Sequence, residues 1–151
     1  MEIRTVNDPA GYEDACALLH KAQNAETEAT GVLFNTNKLR PEELKSQIES
    51  NNNNKCLGAY ENARIIGTLC VLKGKKDRWF TGGRSCFEIK YVAVDPESQG
   101  KHIGSTMMDH VKSMEGYDIL YVSTGENNKK AIRYYFKKRL YPCRREPRHL
   151  E

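Results

Sequence analysis

The stretch from Val94 to Val111 places two glycines and a lysine where a strand pattern gives way to a helix pattern. Gln99 and Gly100 are followed four residues later by Gly104, with Lys101 between the two glycines. The first amide groups of a helix have no intrahelical partner and carry about half a positive charge. A loop without bulky side chains lets those amides surround a phosphate, and a lysine adds a full charge. We expect the Gln99 side chain to hold the shape of the loop by hydrogen bonding. These residue types predict an anion site.

The same glycines also have a purely structural interpretation. Gly100 can simply make the turn, and Gly104 can let the helix pack closely on a sheet, so spacing alone leaves both interpretations open. Two other phosphate-binding patterns are excluded. The GxGxxG pattern has no matching glycines before Gly100, and the P-loop needs a lysine directly after the second glycine, where this chain has Ser105.

Length and composition indicate a single globular domain over residues 1–151. The chain is 38% hydrophobic and 29% charged, ordinary values for such a domain. No apolar run approaches the ~20 residues of a membrane span, and the N-terminus lacks a signal-peptide pattern. We therefore predict a cytoplasmic protein without membrane association. The net charge of +4 suits a phosphate-bearing ligand and is too small to indicate nucleic-acid binding.

Cysteines and histidines are scattered along the chain without the spacing of metal ligands. The five cysteines are an odd number and form no CxxC pair, so we predict reduced, packed thiols and no bound metal. They are Cys16, Cys56, Cys70, Cys86 and Cys143.

The pattern of apolar residues predicts a mixed α/β sheet. The predicted order is β-α-α-β-β-β-α-β-α, followed by at most one short C-terminal strand. Because Cys86–Val94 and Tyr117–Thr124 flank one helix, we expect them to pair in parallel. Predicted strands are Glu2–Val6, Lys55–Glu61, Arg64–Gly74, Cys86–Val94 and Tyr117–Thr124. Predicted helices run from Pro9 to about Gln23, from Pro41, through Ile103 to Met114, and over Glu126–Leu140.

The glycine turn resembles the acetyl-coenzyme A signature of the GNAT superfamily of N-acetyltransferases. That signature is Gln or Arg, two residues, Gly, one residue, then Gly or Ala, and Gln99–Gly104 follows its spacing. The departure is His102, where the family usually has glycine. The cofactor's diphosphate passes close to that backbone, so the His102 side chain must turn away, while the backbone amides remain.

A second stretch, "ENNKKAIRYYFKKRLYP", resembles the family's N-x-x-A-x-x-x-Y-x-K helix. Asn128, Ala131, Tyr135 and Lys137 occupy its positions. The resemblance covers most of the chain and implies the GNAT fold. It also implies that Cys86–Val94 splays from the next strand, so that its backbone can bind the pantetheine amides of acetyl-coenzyme A. The implied cofactor-binding residues are Val92, Ala93, Val94, Gln99, Gly100, Lys101, His102, Ile103, Gly104, Ser105, Asn128 and Tyr135.

The resemblance also implies two catalytic residues. Glu88 resembles the glutamate that histone-acetylating members carry six residues before the signature valine, here Val94. Its place in an apolar strand predicts a raised pKa and a role as general base, with a salt bridge or a solvent-facing position as the alternatives. Tyr135 is the candidate acid for the leaving thiolate, because a phenol's pKa is near that of a thiol. Tyr134 is a rival, and either ring can instead be a core aromatic.

The function implied is acetyl-coenzyme A-dependent N-acetylation of a primary amine on a small molecule or protein, by direct attack on the thioester. One alternative is a non-catalytic acyl-coenzyme A sensor on the same fold. Another, disfavoured, is a basic nucleic-acid module using Trp79 and Phe80 in the loop Lys73–Ser85, which can also be an acceptor-side lid or a solvated loop. The short tail after Leu140 is compatible with a homodimer.

Overall fold

The structure, a computed structural model, describes residues 1–31, 38–74, 81–123 and 133–135. Within them one sheet has five strands in the order β1-β2-β3-β4-β5. The predicted mixed α/β fold is confirmed, as is the order of elements through β5. The strands are β1 (Glu2–Val6), β2 (Lys55–Glu61), β3 (Arg64–Lys73), β4 (Cys86–Val94) and β5 (Ile119–Val122). The helices are α1 (Pro9–Thr30), α2 (Pro41–Glu49) and α3 (Ile103–Lys112), with a short 3-10 helix at Pro96–Ser98.

The C-terminal part of the prediction is only partly covered by the described residues. Residues 133–135 are helical and belong to the predicted helix Glu126–Leu140. The predicted short C-terminal strand lies outside the described residues. So do Cys143, Trp79 and Phe80.

Helix α1 is capped at both ends and is longer than predicted. Asp8 accepts a hydrogen bond from the Gly11 amide at 2.6 Å, and Pro9 occupies the first helical position. The prediction of an end near Gln23 is wrong. Ala25, Glu26, Glu28 and Ala29 are good helix formers, and the helix continues to Thr30. Gly31 closes it, with φ of 72° and an N–H bond to the Thr27 carbonyl.

The β2–β3 hairpin turns at Asn62 and Ala63, as predicted. Both residues have positive φ, 52° and 64°. Two such residues form the turn whose twist matches that of antiparallel strands. Strand β3 is buried from Ile65 to Val71, because helices cover both faces of the sheet there.

Two apolar layers sandwich the sheet. Helices α1 and α2 cover one face, and α3 covers the other. The first layer is built around Val6, Tyr12, Ala15, Leu18, Leu19 and Leu44. The second is built around Leu57, Leu69, Phe87, Ile89, Met107 and Val111. The described cysteines are buried thiols, in agreement with the sequence prediction.

Helix α3 lies close to β3 because Gly67 has no side chain. A methyl group on Gly67 would lie 2.9 Å from both Ile103 Cγ2 and Met107 Cε. Strands β4 and β5, on either side of α3 in sequence, pair in parallel as predicted, from Cys86 with Ile119 to Ile89 with Val122. Ile103 begins α3, so this packing sets the position of the glycine turn before it.

The fifth strand is shorter than the predicted Tyr117–Thr124. It begins at Ile119 because Asp118 and Ile119 donate their amides to the Ser85 carbonyl, which fixes the start of the pairing. Tyr117 lies before the strand, with its ring 5.4 Å from that of Phe87. Thr124 is outside the described residues.

Candidate functional site

A buried carboxylate holds the turn between β4 and α3. Asp95 donates its amide to the Ile66 carbonyl at 2.8 Å, and its side chain accepts from the Glu97 amide at 3.0 Å. Lys21 of α1 lies 3.2 Å from the same carboxylate, and Arg64 of β3 lies 4.0 Å from it. This one residue therefore ties the turn to both the helix and the sheet.

Electrostatics keep Asp95 ionised. Burial raises the pKa of its carboxyl, but the Glu97 amide, the Lys21 ammonium and the Arg64 guanidinium together lower it more. The net pKa lies below the ordinary value. Sequence analysis did not identify Asp95 as a site residue, although an aspartate before proline at a turn is a local signal for capping.

The glycine turn leaves the first amides of α3 without a side-chain cap. Gly100 has φ of 86°, and His102 has φ of 60° in the N-cap position. The first intrahelical amide bond is from Thr106 to the His102 carbonyl, so the amides of Ile103 and Gly104 precede it. No side chain in the described part of the chain caps this end. Within the described ranges, no side-chain cap therefore occupies the predicted anion site.

The polar side chains from Gln99 to His102 face solvent, whereas Asp95 and Ser98 are buried. Gln99, Lys101 and His102 are exposed, and Ser105 lies half-buried in the same helical turn. Gln99 was expected to hold the loop by hydrogen bonding. Asp95 does so instead, since Gln99 has no hydrogen bond within the described ranges.

Among the described residues, no strand pairs with the β5 side of Val92–Val94, and we call this the open edge of β4. Its pairing with β5 stops at Ile89, whereas Ala93 and Val94 still pair with Thr68 and Gly67 of β3. The amides of successive strand residues point to alternate edges. Because the Asp95 amide points to β3, the Val94 amide points to the open edge.

The alternating direction of the backbone amides decides which residues of β4 can donate a hydrogen bond to the pantetheine arm. Val92 shares the orientation of Val94, so both amides face the open edge. Ala93 faces β3, where it is opposite Thr68. The backbone donors available to a ligand strand along this edge are therefore those of Val92 and Val94, while the Ala93 amide is not.

A bulge at Tyr91 sets this alternation. Lys90 pairs with Cys70 and Ala93 with Thr68, so β4 has one residue more than β3 between these pairs. Tyr91 has φ of 57°, unusual for an aromatic residue, and its hydroxyl donates to Gln47 of α2 at 3.0 Å. The bulge places Val92 and Val94 in the α3 layer together with Phe87 and Ile89. No feature of the sequence predicted it.

Glu88 lies near the start of β4, with its side chain on the face of the sheet opposite those of Phe87 and Ile89. It is half-buried, with Leu72 of β3 and Tyr121 of β5 as its register partners. Within the described residues it has no ion pair, so the salt-bridge alternative has no support there.

The two neighbouring tyrosines of the last helix pack edge to face, with ring centroids 5.3 Å apart. Burial raises the pKa of Tyr135 to about 12. Burial, with Tyr135 and Asp109 nearby, raises the pKa of Tyr134 further. Proton transfer from Tyr135 to a thiolate is therefore more uphill than an ordinary phenol would make it. Asn128 and Ala131 lie outside the described residues.

The glycine turn, the end of β4 and the last helix meet at one place, and Glu88 lies apart from it. An alanine Cβ at Gly104 would lie 3.2 Å from Tyr134 Oη and 3.6 Å from Val94 Cγ2. The turn, the end of β4 and the last helix thus meet at Gly104. Glu88 is six residues before Val94 on the same strand.

Within the described part of the chain, no cluster of three His, Cys, Asp or Glu residues can hold a metal.

Comparison with known families identifies the class of protein. The profile of the Acetyltransferase (GNAT) family matches residues 17–140. The chain belongs to this family. A comparison with curated proteins found no match. Among the described residues, no helix is long and apolar enough to cross a bilayer.

Solved structures share the fold at low sequence identity. A mutant of the BH1408 protein from Bacillus halodurans has a TM-score of 0.78 at 18% identity, covering 100% of this chain and 99% of that one. An aminoglycoside acetyltransferase from an uncultured soil metagenomic sample has 0.66 at 23%, covering 100% and 97%. Glucosamine-6-phosphate N-acetyltransferase from Arabidopsis thaliana has 0.61 at 19%, covering 99% and 98%. At these identities the likeness shows the fold alone.

Proposed function

We propose that this protein transfers the acetyl group of acetyl-coenzyme A to a primary amine of a small molecule or protein. The observation that carries the proposal is the adjacency of two features that suit one ligand. The open edge of β4 can pair with the pantetheine amides, and it ends at the uncapped first turn of α3, which suits the diphosphate. Family membership supports the same reaction class.

Different residues of the candidate site would bind different parts of acetyl-coenzyme A. The amides of Ile103 and Gly104, with the Lys101 charge, would hold the diphosphate at the glycine turn. The Val94 amide, beside the turn, would pair with the pantetheine arm. The Val92 amide, on the same edge but further from the turn and nearer Glu88, would donate to the thioester carbonyl oxygen, where negative charge develops during attack.

The chemistry needs several proton movements. Glu88 would take a proton from the substrate ammonium, directly or through a water, so that the nitrogen lone pair attacks the thioester carbonyl carbon. The carbon–sulfur bond then breaks, and the sulfur receives its proton from the Tyr135 phenol. The nitrogen, which still carries one proton more than an amide, loses it through solvent, and the Tyr135 phenolate regains its proton from solvent. The products are the acetylated amine and coenzyme A with a free thiol.

Titration calorimetry with acetyl-coenzyme A, followed by thiol release across a panel of amines, tests the proposal. We expect binding and amine-dependent thiol release. No binding at millimolar ligand would contradict it. Binding without release for any amine would favour the sensor alternative.

Two further expectations stay predictions. The cytoplasmic location and the homodimer both rest on the sequence, and sedimentation at micromolar concentration would measure the oligomeric state. Gel shift with single-stranded nucleic acid at low salt is expected to show no binding.

A further inference from the structure

Strand β1 lies at one end of the sheet in the part of the chain that the structure describes. It comes first in the strand order and pairs with β2 on one side, from Glu2 opposite Tyr60 to Val6 opposite Cys56. No described strand pairs with its other side, which we call the outer edge of β1. An edge of this kind presents unpaired backbone N–H and C=O groups, to which a further strand can add.

Two opposite charges lie exposed on this strand. Glu2 and Arg4 both face solvent, and neither makes an ion pair with any other described residue. The Arg4 guanidinium lies 3.9 Å from the centroid of the Tyr60 ring. Residues two apart in a strand share a face, so the two charges stand on the same face of the sheet.

The spacing of these charges makes β1 complementary to itself. When two copies pair antiparallel with Ile3 opposite Ile3, Glu2 of each copy lies opposite Arg4 of the other. Directly opposite residues have Cβ atoms about 4.5–5.5 Å apart, so opposite charges there attract and like charges repel. Charges on an edge strand commonly discourage pairing with another chain. In this register they favour it, because unlike charges meet.

We propose that the outer edge of β1 binds β1 of a second copy of this chain, in an antiparallel pair centred on Ile3. A twofold axis through that pair forms each Glu2–Arg4 contact twice. The strand is 5 residues long, so the contact is smaller than a standard interface and the dimer is weak and concentration-dependent. This inference names a surface for the homodimer and does not depend on the proposed acetyl transfer.

Sedimentation of the full chain from micromolar to millimolar concentration tests the inference. We expect wild type to dimerise reversibly. Arg4→Glu should weaken dimerisation about tenfold, because like charges then face each other twice. Reversing both charges, Glu2→Arg with Arg4→Glu, should restore wild-type association. That rescue excludes loss of the Arg4–Tyr60 contact as the cause, because the double variant lacks the contact too.

Lys55→Glu is the matched control, because it changes the net charge equally at an exposed position of β2, away from the outer edge of β1. It should leave dimerisation unchanged. Wild type that stays monomeric up to millimolar concentration would overturn the inference. A dimer that Arg4→Glu does not weaken, or that the double reversal does not restore, would overturn it as well. Coenzyme A binding is measured separately, so these outcomes leave the proposed function standing.

Discussion

At the scale of single residues, His102 is the position where this chain differs most from its family's pattern. It adopts φ of 60° and ψ of 24° at the N-cap of α3. A left-handed conformation costs a non-glycine residue roughly 1–2 kcal/mol, which explains why glycine suits this position. The His102 side chain is exposed to solvent. It therefore leaves the backbone of the turn in the conformation that the proposed anion site requires.

Replacing His102 with glycine should therefore stabilise the protein. We expect the free energy of unfolding to rise by about 0.5–1 kcal/mol, since relief of the backbone strain exceeds the entropy that glycine adds to the unfolded chain. Urea denaturation measures this change. Lys101→Gly is the control, because Lys101 has no positive φ, and it should not stabilise. Equal effects at the two positions would argue against backbone strain at His102.

Glu88 carries the second prediction at this scale. Glu88→Gln removes the proton acceptor and keeps the shape, so amine-dependent thiol release should fall by about 10²–10⁴-fold. Affinity for acetyl-coenzyme A should not change, because the base meets the amine and not the cofactor. Glu61→Gln, at an exposed end of β2, should leave both unchanged. Full activity in Glu88→Gln would exclude Glu88 as the base.

At the scale of elements, the site depends on how β4, α3 and α1 are joined. Asp95, directly after β4, is bonded to the Glu97 amide of the 3-10 helix, to the Ile66 carbonyl of β3 and to Lys21 of α1, and so holds the chain that leads from β4 to α3. The bulge at Tyr91 makes the Val92 and Val94 amides face the open edge of β4. Asp95 and the bulge at Tyr91 therefore position the glycine turn and the open edge of β4. Neither residue is among those that we propose to contact the ligand.

Asp95→Asn should lower stability by about 1–2 kcal/mol at about pH 7, because the buried acceptor loses its charge beside Lys21 and Arg64. Its pKa is lowered in the folded state, so its contribution is present above the pKa of an unfolded aspartate. It is lost as pH falls through the folded-state pKa. The stability difference between wild type and variant should therefore stay constant from about pH 7 to about pH 5 and shrink below about pH 4. Urea titrations across that range measure it.

Coenzyme A affinity separates a positioning role for Asp95 from a merely structural one. Asp95→Asn should weaken binding several-fold under conditions where the variant is fully folded, since the turn loses its anchor. Asp118→Asn, an exposed aspartate before β5, should change neither stability nor affinity. A stability difference that grows toward acid would contradict the charge assignment.

Local signals predicted most of these elements, and long-range contacts account for what was missed. Asn62 and Ala63 predicted the hairpin, and the apolar run of β4 predicted a buried strand. The ion pair of Asp95 with Lys21 joins residues 74 apart, so no local pattern contains it. The bulge at Tyr91 likewise depends on its partner strand. The close approach of Tyr134 to Gly104 likewise exists only once the last helix packs against α3.

At the scale of the whole molecule, the fold and the site carry different information. Two apolar layers around one sheet account for a fold shared with the Bacillus halodurans protein at only 18% identity. Such packing tolerates wide sequence change, so the fold does not specify the amine acceptor. In our proposal, the turn and the open edge of β4 bind the acetyl donor. The acceptor must be found by assay.

A structure of the protein with coenzyme A tests the central claim most directly. We predict diphosphate oxygens within hydrogen-bond distance of the Ile103 and Gly104 amides, and the pantetheine arm along the open edge of β4. Phosphates bound elsewhere, with the first turn of α3 capped by a protein side chain, would contradict the account.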